Sequence, residues 1–66
     1  MTGAERNILT AMLNGLAVSR QGQKYFLAGG RTSGEPIAKL CRRGLLIYNN
    51  GEYTLVSKKL AKELVQ

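Results

Sequence analysis

The apolar positions near the start of the chain repeat with the spacing of one helical face. They are Ile8, Leu9, Met12, Leu13 and Leu16. Thr2 and Glu5 have the spacing of a capping box, in which each side chain hydrogen-bonds the other residue's backbone. Asn14 and Gly15 follow the periodic run, and a glycine there takes the left-handed conformation that ends a helix without strain. The sequence therefore predicts a helix over residues 3–14.

The next segment contains two short apolar runs, residues 16–19 and 24–27, separated by polar residues and Gly22. This arrangement is typical of two strands around a turn, although a short helix across Gly22 remains an alternative. Residues 28–30 are expected to form a loop. Side chains alternate along a strand, so only one ring of Tyr25 and Phe26 faces the core. We expect Phe26 to be that ring, with stacking on nucleic acid bases as the alternative use of the pair.

A second helix is predicted over residues 34–43. Ser33 is the expected N-cap, because Pro36 then falls at the third helical position, where its missing N–H has no partner to lose. The apolar stripe consists of Ile37, Leu40 and Cys41, and Gly44 ends the helix. Lys39, Arg42 and Arg43 are spaced three and four apart, which predicts that the three cations share one face.

Residues 45–56 carry the strongest local pattern, an Asn50-Gly51 pair between two apolar, β-branched runs. Both central residues of a type I′ turn have positive φ, which Asn and Gly tolerate, so the pattern predicts a hairpin with strands 45–49 and 52–56. Tyr48 and Tyr53 are expected to pack as cross-strand partners.

Ser57 is the expected N-cap of a last helix. The residues predicted to face inward are Leu60, Ala61, Leu64 and Val65.

Composition narrows the class of protein. The chain has 66 residues, enough for a single domain spanning 1–66, with ten Lys and Arg, four Glu, no Asp and no His. Its apolar content of 44% argues against disorder. No apolar run reaches the ~20 residues of a membrane span, and no signal peptide precedes the first helix, so we expect a cytoplasmic protein without membrane contact.

The residues that usually carry catalysis and metal binding are scarce. Without His or Asp, the four scattered glutamates offer no paired carboxylate site, and we expect no enzyme activity. Cys41 is the only cysteine, which excludes an intrachain disulfide and a cysteine-rich zinc site. We therefore expect neither a metal nor another cofactor.

The order of predicted elements, helix, short strand pair, helix, hairpin and helix, gives an α+β fold. Residues 40–46 (LCRRGLL), the short hairpin, residues 53–57 (YTLVS) and the Lys/Leu-rich end resemble the second half of winged helix-turn-helix DNA-binding domains, especially small phage and bacterial ones. The resemblance covers residues 30–66 and implies a compact winged helix. In that family the helix corresponding to 34–43 is the recognition helix, and the hairpin 45–56 is the wing.

The resemblance also implies DNA contacts at particular positions. Arg31, Thr32 and Ser33 would meet phosphates or base edges at the start of the recognition helix. Lys39, Arg42 and Arg43 would contact the groove wall and phosphates. Asn49 and Asn50, at the wing tip, would reach the adjacent minor groove or backbone.

Charge supports a polyanionic partner independently of the resemblance. Residues 20–43 hold six of the ten cations and only one carboxylate, Glu35. The leading hypothesis is a small regulator that binds double-stranded DNA, with a homodimer formed through the remaining apolar positions of the first and last helices. The alternative is a winged-helix module that binds a protein, for example a small phage-encoded inhibitor of a host protein or nucleoprotein complex.

Overall fold

The computed structural model describes all residues from 1 to 66 as three helices and five strands. In chain order the elements are α1 (Gly3–Leu13), β1 (Val18–Gln21), β2 (Lys24–Leu27), β3 (Gly30–Thr32), α2 (Gly34–Arg42), β4 (Leu46–Asn49), β5 (Glu52–Leu55) and α3 (Lys58–Val65). The predicted α+β class is confirmed. No helix is long and apolar enough to cross a bilayer.

The strands form one antiparallel sheet in the order β3-β2-β1-β5-β4. The hairpin β4–β5 joins the meander β1–β2–β3 through a short pairing in which Val18 opposes Tyr53 and Ser19 opposes Glu52. The sheet residues that reach the core, including Val18, Leu46 and Tyr53, all lie on one face. The helices cover that face, and the other face carries no packed element.

The helix starts follow local side-chain chemistry. Thr2 Oγ1 accepts from the Glu5 N–H at 3.2 Å, and Ser57 Oγ accepts from the Leu60 N–H at 3.2 Å. Ser33 is the N-cap of α2 as predicted, but its hydroxyl makes no capping bond. The residue three positions later is Pro36, which has no N–H to donate.

The hairpin turn has the predicted geometry. Asn50 and Gly51 have φ values of 52° and 85°, and Asn49 pairs with Glu52 across a two-residue loop. Tyr48 and Tyr53 are cross-strand partners, as expected.

Part of the sequence prediction for residues 16–30 is wrong. The segment forms the two predicted strands rather than the alternative helix, but residues 30–32 add a third strand that pairs with β2. Of these, Gly30 is expected in a loop, and Arg31 and Thr32 at the start of the second helix. Tyr25, not Phe26, packs against the core. The register places Tyr25 on the same face as Val18, and Phe26 therefore points to the uncovered face.

Two apolar residues predicted to face inward are exposed: Leu60 and Leu64 of α3 are 42% and 37% exposed. Leu16, which shares the apolar spacing of the first helix, lies beyond the end of α1 and is 45% exposed. Within α3 only Ala61 is buried, with Val65 partly buried beside it. The inward-facing prediction holds for Ala61 and Val65, while α3 leaves the two leucines at the margin of its buried side.

Candidate functional site

The solvent-facing side of α2 carries Lys39 and Arg42, one turn apart. Arg42 is exposed and forms no ion pair. Lys39 is partly buried, and its Nζ lies 3.4 Å from Oε1 of Glu35, one turn earlier. An exposed i,i+4 pair of this kind contributes only a few tenths of a kcal/mol, about 0.3–0.5. Lys39 can therefore exchange Glu35 for another anion at little cost.

Arg43 forms the second ion pair that involves this end of α2. Its Nε lies 3.2 Å from Oε2 of Glu5, a buried carboxylate in the first turn of α1. Arg43 follows Lys39 by four residues, a rotation of about 40° around the helix axis, and its side chain is 51% exposed. Arg43 therefore joins two helices while lying on the same side of α2 as Lys39, and its contact with DNA stays a prediction.

The three residues expected at the start of the recognition helix are separated by the fold. Arg31 and Thr32 belong to β3, where Arg31 opposes Phe26 and Thr32 opposes Tyr25. Their side chains consequently lie on opposite faces of the sheet. Only Ser33 sits at the helix start, exposed to solvent.

The hairpin tip presents Asn49 and Asn50, both exposed, as the sequence predicted. Neither side chain forms a hydrogen bond within the protein. Both amides are thus free to donate to and accept from a ligand.

A cationic and aromatic group that local sequence patterns do not indicate lies beside this tip. Arg20 places its guanidinium carbon 5.3 Å from the ring centre of Tyr25 and 5.9 Å from that of Tyr48. The ring centre of Tyr53 lies 6.4 Å from that of Tyr25 and 5.0 Å from that of Tyr48. We call Arg20, Tyr25, Tyr48 and Tyr53 the arginine–tyrosine cluster.

The cluster fixes the Arg20 side chain. Its Nε donates to the Gly22 carbonyl at 2.6 Å, and the rings hold the guanidinium by cation–π attraction. The pKa of Arg20 is raised above its ordinary value. The main cause is the interaction with the Tyr53 hydroxyl, and the next is the Tyr25 phenol. Burial raises the pKa of Tyr53, with Arg20 opposing that change. Arg20 is thus a positioned, permanent cation.

The cluster also connects the start of α2 with the hairpin tip. The Tyr25 ring packs directly against Gly34, the first residue of α2. On the other side, the Arg20 backbone N–H donates to the Gly51 carbonyl at 2.7 Å. The signal for this group was the alternation Val18-Ser19-Arg20, which places Arg20 on the core face, but the β1–β5 pairing that brings in Tyr48 and Tyr53 has no local signature.

No group of three or more His, Cys, Asp or Glu is arranged to hold a metal ion. Comparison of the chain with protein-family models, curated proteins and solved structures finds no match.

Proposed function

We propose that this protein is a small winged-helix domain that binds double-stranded DNA and acts as a regulator of transcription. In this proposal α2 enters the major groove with its outer face, and the β4–β5 hairpin is the wing. An α-helix with its side chains is about 10–12 Å in diameter and fits a major groove about 12 Å wide. The principal contacts are Arg42 and Lys39 on α2, Ser33 at its start, and Asn49 and Asn50 at the tip.

The observation that carries the proposal is the continuous contact from the start of α2 to the hairpin tip. Gly34 contacts Tyr25, Tyr25 stacks with Arg20, and the Arg20 backbone bonds Gly51. A recognition helix and a wing must meet one duplex together, so they need a fixed relative position. The arginine–tyrosine cluster supplies it, and adds a cation between the two elements.

The charge distribution is a second support. Only Lys39 and Arg43 of the ten Lys and Arg side chains form ion pairs. Cationic side chains that bind the phosphates of a polyanion displace its condensed counterions. The release of these counterions supplies most of the non-specific affinity for DNA.

The proposal is tested by fluorescence anisotropy of a labelled duplex titrated with the protein at several salt concentrations. We expect the logarithm of the association constant to fall linearly with the logarithm of salt concentration. Arg42→Ala should reduce that slope by about 0.9, the contribution of one phosphate contact on B-DNA. Lys62→Ala, which removes an equal charge from the exposed side of α3, is the matched control and should leave the slope unchanged.

Two results would contradict the proposal. Duplex affinity weaker than ~10⁻⁴ M at physiological salt would be below ordinary non-specific binding. Equal slope changes for Arg42→Ala and Lys62→Ala would mean that net charge, rather than α2, governs the interaction.

A second candidate function is protein binding through α3, either to a copy of this chain as a homodimer or to a different protein partner. The exposed leucines Leu60 and Leu64 favour it, because they lie one turn apart on a helix that carries three lysines. Light scattering gives the mass of the protein in solution. A dimer that Leu60→Lys converts to a monomer would support self-association through α3, while a monomeric wild type would exclude the homodimer.

A further inference from the structure

The uncovered face of the sheet contains no buried residue. Its members alternate with the core-facing positions of the five strands. They are Ser19, Gln21, Lys24, Phe26, Arg31, Ile47, Asn49, Glu52 and Thr54. We call this surface the open face.

Phe26 is the only aromatic residue of the open face. It lies on β2, between Ser19 of β1 and Arg31 of β3. Its neighbours in sequence, Tyr25 and Leu27, pack against the core, but Phe26 does not. Its ring is partly exposed above the sheet and has no helix over it.

Two cationic residues are neighbours of Phe26 on the open face. Arg31 is its cross-strand partner, with Cα atoms about 5 Å apart, and Lys24 is two positions along the same strand, with Cα atoms about 7 Å apart. Neither cation forms an ion pair, and both are exposed. Glu52 is the one acidic residue of the open face, and it lies two strands from Phe26, beyond Ser19.

We propose that the open face binds single-stranded DNA, with an unpaired base stacked on Phe26 and the adjoining phosphates on Arg31 and Lys24. An aromatic ring with nearby cations on a sheet surface matches the two chemistries of a single strand, the π face of a base and the backbone charge. A duplex does not offer this contact, because its bases cover each other's faces. The three residues of this site, Phe26, Arg31 and Lys24, lie on β2 and β3 and include none of the proposed duplex contacts, of which only Asn49 is also on the open face, so the proposal does not depend on duplex binding.

The charge complementarity favours a nucleic acid strand over a second copy of the chain. A two-fold dimer with its axis at Phe26 would bring Lys24 and Arg31 of one copy close to the same two residues of the other. A single strand instead neutralises them. A copy–copy interface is therefore an outcome that the experiment must detect.

The experiment measures binding of a labelled oligodeoxythymidine of about ten nucleotides, within the site size of sheet-based single-strand binders, by fluorescence anisotropy. Phe26→Tyr keeps a ring for stacking, whereas Phe26→Leu keeps an apolar residue of similar size without one. We expect Phe26→Tyr to bind like the wild type and Phe26→Leu to bind at least about fivefold more weakly, the lower limit of one base–aromatic stack. Arg31→Ala should lower the salt slope by about 0.7, the contribution of one single-strand phosphate, while Lys62→Ala should not.

Circular dichroism of each variant establishes that it is folded, and light scattering gives its mass. Equal affinity of folded Phe26→Leu and Phe26→Tyr, or a wild type that does not bind the oligonucleotide, would overturn the proposal. A dimer that Phe26→Leu dissociates would overturn it too, by making the open face a copy–copy interface. Arg42→Ala separates the two sites: it should weaken binding of the duplex and leave binding of the single strand unchanged, so that either proposal can fail while the other stands.

Discussion

Arg43, the residue that ends α2, lies with its Nε 3.2 Å from Oε2 of Glu5 in the first turn of α1. The Glu5 side chain is 1% exposed, whereas that of Arg43 is 51% exposed. Oε1 of Glu5 accepts the Thr2 hydroxyl at 3.2 Å, but Oε2 has no hydrogen bond of good geometry. Arg43 is therefore the main compensation for that oxygen.

Arg43→Ala should lower the free energy of unfolding by about 1–2 kcal/mol, because it leaves a buried carboxylate without its counter-ion. We expect a smaller loss of stability than for a fully buried ion pair, because about half of the Arg43 side chain is exposed to solvent. Urea unfolding followed by circular dichroism measures it. Arg42→Ala, which removes the same side chain one residue earlier, should leave stability within about 0.5 kcal/mol of the wild type.

The double variant Glu5→Leu/Arg43→Leu provides a further control. Apolar replacement of both partners removes the unpaired charge, so this variant should be more stable than Arg43→Ala alone. Equal stability of Arg42→Ala and Arg43→Ala would contradict a structural role for the Glu5–Arg43 pair.

The features that could be predicted from the sequence are those that depend on a few consecutive residues. The Thr2 cap, the positive φ values of Asn50 and Gly51, and the position of Pro36 in the first turn of α2 all follow from local chemistry. The exposed tip and the outer face of α2 could be located for the same reason.

The features that the sequence did not predict depend on pairing between distant strands. β3 is three residues long and begins with Gly30, so it lacks the β-branched run that marks a strand, and it is held by its pairing with β2. Tyr25 faces the core where the sequence predicts Phe26. This difference amounts to a shift of one residue in strand register, which moves every side chain of the strand to the other face of the sheet. The same register brings Arg20 to the tyrosines.

Gly34→Ala should destabilise the protein by about 1–3 kcal/mol, the usual cost of adding an atom to a packed contact. A Cβ at Gly34 would fall within the Tyr25 ring, although the Gly34 backbone itself has no positive φ to forbid alanine. Gly3→Ala is a matched control, because Gly3 is likewise the first residue of a helix and has nothing within 4 Å of its added Cβ. It should be neutral or stabilising.

Thermal unfolding of both variants, and of Gly34→Ala in a Tyr25→Leu background, measures this contact. Leucine lacks the ring atoms that the new Cβ would meet, so the background should remove most of the cost of Gly34→Ala. If Gly34→Ala is as harmless as Gly3→Ala, the contact between Tyr25 and the start of α2 is not formed in solution.

Alkaline pH should destabilise the fold through Cys41 and Tyr53, because both side chains stay neutral to higher pH in the folded protein than in the unfolded chain. Burial raises the pKa of the Cys41 thiol and, against the opposing effect of Arg20, the pKa of the Tyr53 phenol. In the unfolded chain these groups ionise near their ordinary pKa values, about 8.5 and about 10, before they ionise in the folded protein. The free energy of unfolding should therefore be unaffected by them at neutral pH and fall as pH rises beyond those values.

Urea unfolding between neutral and alkaline pH tests this dependence. Cys41→Ala should flatten the first part of the decline and Tyr53→Phe the second. Ellman's reagent should react with Cys41 more slowly in the folded protein than in urea, because the thiolate is the reactive form. A decline that neither variant alters would assign the alkaline sensitivity to other groups.

Asn50→Gly tests whether the hairpin tip contacts DNA without disturbing the turn. Asn50 has a φ of 52°, which glycine adopts freely, so the turn should persist while the amide is lost. A lost hydrogen bond of about 0.5–1.5 kcal/mol corresponds to a duplex affinity about two- to tenfold lower at constant salt. Anisotropy titration measures the affinity, and thermal unfolding establishes that the fold is retained. Gly51→Ala should instead act on stability, since its φ of 85° and the Arg20 carbonyl, 3.3 Å from an added Cβ, both oppose a side chain. Wild-type duplex affinity for Asn50→Gly would mean that the Asn50 amide makes no contact with DNA.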